Sequence, residues 1–104
     1  MARMVVICRT PKDIAAFDKH YFEVHVPLAK KLPGLRKYEV SKGSIVSLAG
    51  APESYLIATL HFDSSPAIKE VFPTARGQAC AADRRLLAPD DADVQMFLFD
   101  NQEV

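Results

Sequence analysis

The chain has 104 residues, nearly half of them hydrophobic, and its thirteen basic residues balance its thirteen acidic ones. That length suits a single domain over residues 1–104 with a modest core. A charge balance of zero leaves no basic excess to neutralise phosphates, so nucleic acid is not an expected partner.

Arg3 to Arg9, "RMVVICR", reads as a short buried strand. It lacks the length of a membrane span and the flanks of a signal peptide, so the expectation is a cytoplasmic protein with no membrane contact. A helix follows, with Thr10 as its expected cap and Pro11 at its first position. Ile14, Phe17, Tyr21, Val24 and Leu28 recur at spacings of three and four and define its apolar stripe. Pro27 interrupts that pattern. It cannot donate to the carbonyl of Glu23, and such a break costs about 3 kcal/mol in a helix interior. The helix is therefore expected to bend or end there, with His25 beside the stripe. Pro33 and Gly34 then stop it.

Leu35 to Leu48 is expected to form a charged edge strand, with Gly43 marking a bulge or bend. A loop over 49–54 leads to Tyr55–Phe62, "YLIATLHF", the hairpin partner of that strand. Ser65 before Pro66 is the expected start of the next helix, which restarts near Thr74. Ala75, Ala79, Ala82 and Leu86 supply the expected apolar face of that second piece. Val94–Phe99, "VQMFLF", closes the chain as a strand.

The order β-α-β-β-α-β is the split βαβ, ferredoxin-like pattern, with two helices on one face of a four-stranded antiparallel sheet. Its strands do not alternate cleanly between apolar and polar residues. Met4, Val6 and Cys8 oppose Val5 and Ile7 on the first strand, and Val94, Met96 and Leu98 oppose Phe97 and Phe99 on the last. The helices can cover only one of these faces, leaving the other strongly apolar. An exposed patch of that kind marks an interface, so a homodimer packed sheet to sheet is expected. Cys8 and Cys80 lie far apart in sequence, form no CxxC, and are expected to be buried, reduced thiols.

Residues 13–40, "DIAAFDKHYFEVHVPLAKKLPGLRKYEV", resemble the opening motif of the EthD family. The likeness rests on Phe17, Tyr21, the step His25–Val26–Pro27–Leu28, the Pro33–Gly34–Leu35 turn and Tyr38. A fainter echo is "FPTARGQACAAD", residues 72–83, where Thr74 and Ala75 replace the usual Ser-Pro pair ahead of a glycine and a later aspartate. The resemblance implies a dimeric α+β barrel, two ferredoxin-like subunits with packed sheets. Proteins of that superfamily commonly bind small hydrophobic ligands between sheet and helices.

The candidate catalytic set is His25, Tyr21 and His61, because histidine moves protons near neutrality and a tyrosine can hold a developing enolate oxygen. Phe17, Tyr38 and Thr59 are the expected ligand contacts. Which strand face carries His61 and Tyr38 is left open by the sequence. Asp18 lies two turns from His25, about 10 Å along an ideal helix, too far for direct contact. On the same wheel His20 falls on the polar face. Five residues separate it from His25, so the two diverge and form no metal pair. No phosphate loop, nicotinamide fingerprint or serine elbow is present. The expectation is an activity without metal or cofactor on a small hydrophobic carbonyl or aromatic compound, by proton transfer. Isomerase, cyclase, lyase and monooxygenase-like reactions all fit that description. The alternative is a non-catalytic binding or accessory protein of a degradative pathway.

Overall fold

The computed structural model describes residues 1–50 and 53–104. The chain forms β1 (Ala2–Cys8), α1 (Ile14–His20), a π-helical turn (Tyr21–His25), α2 (Val26–Lys30), β2 (Lys37–Val40), β3 (Leu56–Phe62), α3 (Ser65–Val71), α4 (Ala75–Leu87), a 3-10 turn (Asp91–Asp93) and β4 (Val94–Asp100). The four strands form one antiparallel sheet in the order β2-β3-β1-β4. This is the ferredoxin-like α+β arrangement, with both helical stretches over one sheet face.

Alternation along the strands decides what lies under the helices. On β3, Leu56, Ala58, Leu60 and Phe62 are buried, while Ile57, Thr59 and His61 turn to the opposite face. Register places Met4 beside Leu60 and Val6 beside Ala58, so these residues form the floor under the helices. Tyr38 and Val40 join the same side from β2. Phe62 and Ile68 are the largest side chains removed completely from solvent.

The first helix departs from the expected pattern. Helical winding continues past Pro27. The Val26 amide instead bonds back five residues to the Tyr21 carbonyl, and α2 continues from there. One extra residue is thus wound in just ahead of the proline, a π-type turn of the sort found at functional sites. The inward face slips by one position as a result. Tyr21, His25, Ala29 and Leu32 are buried, while Ile14 and Val24 are 45% and 42% exposed. The apolar stripe through Ile14, Val24 and Leu28 is corrected accordingly.

Helix starts also moved. Asp13, not Thr10, caps α1 by accepting from the Ala16 amide. Ser64, not Ser65, caps α3 by accepting from Ala67. Thr74 does cap α4, accepting from Gly77 and donating to the Val71 carbonyl. The α3–α4 corner is so tight that a Cβ on Gly77 would lie 2.1 Å from that carbonyl oxygen. Only glycine permits that approach.

The expected inner face of α4 is also corrected, because Ala75, Ala79, Ala82 and Leu86 all face solvent. The inner face carries Gly77, Cys80, Ala81, Arg84 and Leu87, with Asp83 buried on its flank. Close packing at Gly77 sets this rotation and overrides the weak preference of alanine. The long edge strand shrinks to Lys37–Val40, and Gly43 lies beyond it with φ +74°. Ala51 and Pro52 of the loop expected over 49–54 fall outside the described residues.

Candidate functional site

Asp83 lies at the centre of a buried polar cluster between the helices. Its Oδ2 lies 2.9 Å from His25 Nδ1 and its Oδ1 lies 2.7 Å from His20 Nε2. The side chains of His25 and Asp83 are 11% and 8% exposed, while that of His20 reaches the surface at 34%. In a regular helix two residues five apart diverge by about 140°. The i to i+5 bonding of the π turn removes that divergence, so both imidazoles converge on one carboxylate. His20, placed on the polar face by the sequence, is therefore part of the cluster.

Burial pulls the His25 imidazole below its ordinary value of 6.5, and the bond to Asp83 opposes that shift. The ring is neutral at pH 7. Its single proton sits on Nδ1, donated to the Asp83 carboxylate. Nε2 is then an acceptor, and the contact it makes is long and weak, to the Cys80 thiol at 4.0 Å. Burial raises the Cys80 thiol to about 11, so it is a protonated neighbour and not an activated nucleophile. Cys8 and Cys80 are both free, as expected, with Cys8 buried and Cys80 half-buried.

Tyr21 stacks against His25 with ring centroids 5.3 Å apart. Its hydroxyl lies 2.5 Å from that of Tyr38, reaching across from β2. Burial raises both phenols, Tyr38 to about 12, so both remain protonated. Two hydroxyls share one hydrogen bond, which leaves one O–H free to donate elsewhere. Either hydroxyl can be the donor of that bond, and Tyr21 is the more deeply buried of the two.

His25, Tyr21 and Tyr38 border a cavity of about 250 Å³ between helices and sheet. Met4, Val6, Ala58 and Leu60 form its floor, and Cys80, Arg84 and Leu87 contribute from α4. The walls are mostly apolar with few polar groups, the usual make-up of a small-molecule site. A wider groove between the β1–α1 turn and the end of α4 opens to solvent and is rich in charged residues, with Arg9, Lys12, Asp13 and His20 facing Asp90, Asp91 and Asp93.

Three expected site residues are placed elsewhere. His61 sits on the opposite sheet face, 2.6 Å from Glu39, and cannot reach His25. Thr59 shares that face, opposite Val5 and Glu39 in register. Both follow from the period-two alternation of β3, which commits Leu60 and Ala58 to the cavity side. Phe17 is buried behind Tyr21, stacked at 5.7 Å, and supports that ring from outside the cavity. Asp18 accepts from the Tyr55 hydroxyl at 2.6 Å and ties α1 to β3. Asp83 was assigned no role from the sequence, although it is the aspartate that closes the 72–83 echo.

Fold and site together define a ferredoxin-like α+β domain with an apolar cavity and a buried His–Asp pair under its helices. The chain belongs to the EthD family: the EthD domain pattern matches residues 9–90, which include the His25–Pro27 step and Asp83. It is 38% identical over 84 residues to an uncharacterised 11.0 kDa protein from the thcB–thcC intergenic region of Rhodococcus erythropolis, covering 80% of each chain. It is similar to the crystal structure of an EthD family protein from Bacillus halodurans, with TM-score 0.86, 27% identity and 98% and 99% of the two chains covered. A dimeric ferredoxin-like protein of unknown function from Thermobifida fusca shares the fold at TM-score 0.66 and 17% identity, covering 94% of this chain and 88% of that one. SnoaB, a cofactor-independent oxygenase from Streptomyces nogalater, shares it at TM-score 0.66 and 14% identity, with 99% and 94% covered. No helix among the described residues is long and apolar enough to cross a membrane.

Proposed function

We propose that this protein catalyses proton transfer on a small hydrophobic carbonyl or phenolic compound bound in the cavity, using His25 as the general base. The observation that carries this reading is the asymmetry of the His25 ring: Nδ1 is committed to Asp83 at 2.9 Å, while Nε2 has no hydrogen-bond partner closer than a thiol at 4.0 Å. A thiol at that distance is a weak donor, so a ligand proton can take its place at Nε2. In the proposed step Nε2 takes a proton from an acidic C–H or O–H of the ligand. The electron pair moves onto the ligand oxygen, which accepts a hydrogen bond from the Tyr38 O–H, free when Tyr21 is the donor of the bond between them. The Asp83 carboxylate stabilises the imidazolium that forms. His20 extends the polar line from Asp83 to the surface.

Every group in that step belongs to this chain. It suits isomerisation, cyclisation or elimination, and equally the substrate deprotonation with which a cofactor-independent oxygenation can begin. The functional unit is a homodimer joined through the apolar sheet face, a reading supported by exposed Phe97 and Phe99 and by the dimeric neighbour.

The test is hydrogen exchange in D2O, followed by proton NMR over a panel of small aromatic and cyclic ketones. The wild-type protein should accelerate loss of the α-proton signal of at least one compound, and His25→Gln should bind that compound without exchanging it. Binding with no exchange by the wild type would leave a binding protein instead.

A further inference from the structure

The cavity lining carries two arginines, Arg84 and Arg85, and no acidic side chain. Arg84 is the informative one. It sits on the inner face of α4, and its side chain is only 18% exposed. Its guanidinium has five N–H donors. One reaches the Ala88 carbonyl at 3.3 Å, and the group stands 3.8 Å from Asp91, a fully solvated residue with 94% side-chain exposure. A contact of that length to so exposed a carboxylate is a weak anchor. Asp83, its neighbour in the chain, already has both oxygens engaged by His20 and His25. Arg84 lines the same cavity as His25 and Cys8, and its charge disfavours added positive charge there.

The contacts to Ala88 and Asp91 leave other N–H donors of the guanidinium available at the cavity wall, and its planar fork matches a carboxylate in two-point contact. Building on the proton-transfer reading above, we propose that the ligand is a small apolar carboxylic acid. Arg84 holds its carboxylate at the α4 side of the cavity, and its carbon skeleton lies on Met4, Val6 and Leu60. Its reactive centre lies toward His25 and Tyr38. Arg85, more exposed at the rim, adds attraction but no fork.

The opposing account is that Arg84 merely secures the end of α4 through Ala88 and Asp91. That role would show in the melting temperature but not in ligand selectivity. The discriminating measurement uses naphthalene-2-carboxylate and its neutral amide, titrated calorimetrically into the full-length protein. Charge-assisted hydrogen bonds are worth about 1.5–3 kcal/mol, so the acid should bind about tenfold more tightly or better. Arg84→Gln should abolish that preference while leaving amide binding unchanged. Should that variant not fold, Arg84→Lys retains charge and stem but loses the fork, and must weaken the acid alone. His25→Gln should keep the preference, because the base is not the anchor. Equal binding of acid and amide, no binding of the acid, or a preference that survives loss of Arg84 would overturn the proposal. A preference that is intact in a protein with no exchange activity would sink only the catalytic reading.

Discussion

The His25 Nδ1 atom, on the π turn of the first helix, lies 2.9 Å from the Asp83 carboxylate on α4, fifty-eight residues later in the chain. This contact fixes the tautomer of the imidazole and joins two helices that meet over the cavity. Asp83→Asn tests it directly, because His20 and His25 would then compete for one amide oxygen. An exchange rate at least about 10²-fold lower is expected, together with about 1.5–3 kcal/mol of lost stability in urea denaturation. An unchanged rate would show that Nδ1 needs no carboxylate.

Stability should depend on pH through His25. Burial lowers its affinity for protons, so the unfolded chain binds a proton below 6.5 while the native ring stays neutral. The unfolded state then holds more protons, and stability rises with pH in that window. The contribution is complete above 6.5 and is lost as pH falls from there toward the lower native value. Urea titrations at pH 7.5, 6.5 and 5.5 should show the wild type weakening in acid, with a flatter profile for His25→Gln.

The two tyrosines should separate function from packing. With Tyr21 as the donor of the bond between them, Tyr38→Phe removes the free hydroxyl, so exchange should fall steeply, by roughly 10²-fold, while the fold persists. Tyr21→Phe then removes the donor and leaves Tyr38 a bond short, with a stability cost of about 1 kcal/mol and a smaller kinetic effect. Rates and melting temperatures of the two variants side by side would reveal a reversal of these roles.

Pro27→Ala restores an amide that can bond to the Glu23 carbonyl and so favours regular helix over the π turn. His20 and His25 would then swing apart and only one could keep Asp83. The melting temperature should hold or rise, since a proline penalty is relieved, while exchange falls at least about tenfold. Full activity in a variant with rewound helix would detach the π turn from the site.

Phe97 and Phe99, 48% and 44% exposed on one chain, lie on the sheet face that also carries Val5, Ile7 and Ile57. Replacing both with serine should convert a dimer of twice the chain mass into a monomer by light scattering, with a lower melting temperature. A wild-type protein that scatters as a monomer would remove the partner from this account.

Local pattern was enough to read the strand order, the two-faced sheet, the Thr74 cap and the His25–Pro27 irregularity from the sequence. Each depends on residues near one another in the chain, where period, cap chemistry and a missing amide act directly. His25, Tyr21 and Tyr38 were legible for the same reason, as members of one continuous motif. The partner of His25 was not. Asp83 is fifty-eight residues away, and its approach depends on how α4 rotates, which Gly77 decides by pressing against the Val71 carbonyl. His20 was misplaced because a wheel at about 100° per residue assumes regular winding, and the π turn breaks that assumption. His61 and Thr59 went to the wrong face because composition alone does not say which half of a mixed strand meets the helices. That choice is made by total burial: Leu56, Ala58, Leu60 and Phe62 gain more from the core than Ile57, Thr59 and His61 would. Sequence alone therefore determined the fold and singled out His25, through interactions spanning a few residues. Tertiary packing decided the carboxylate that pairs with His25, the arginine at the cavity wall and the histidine left outside it, because each rests on a contact between distant segments.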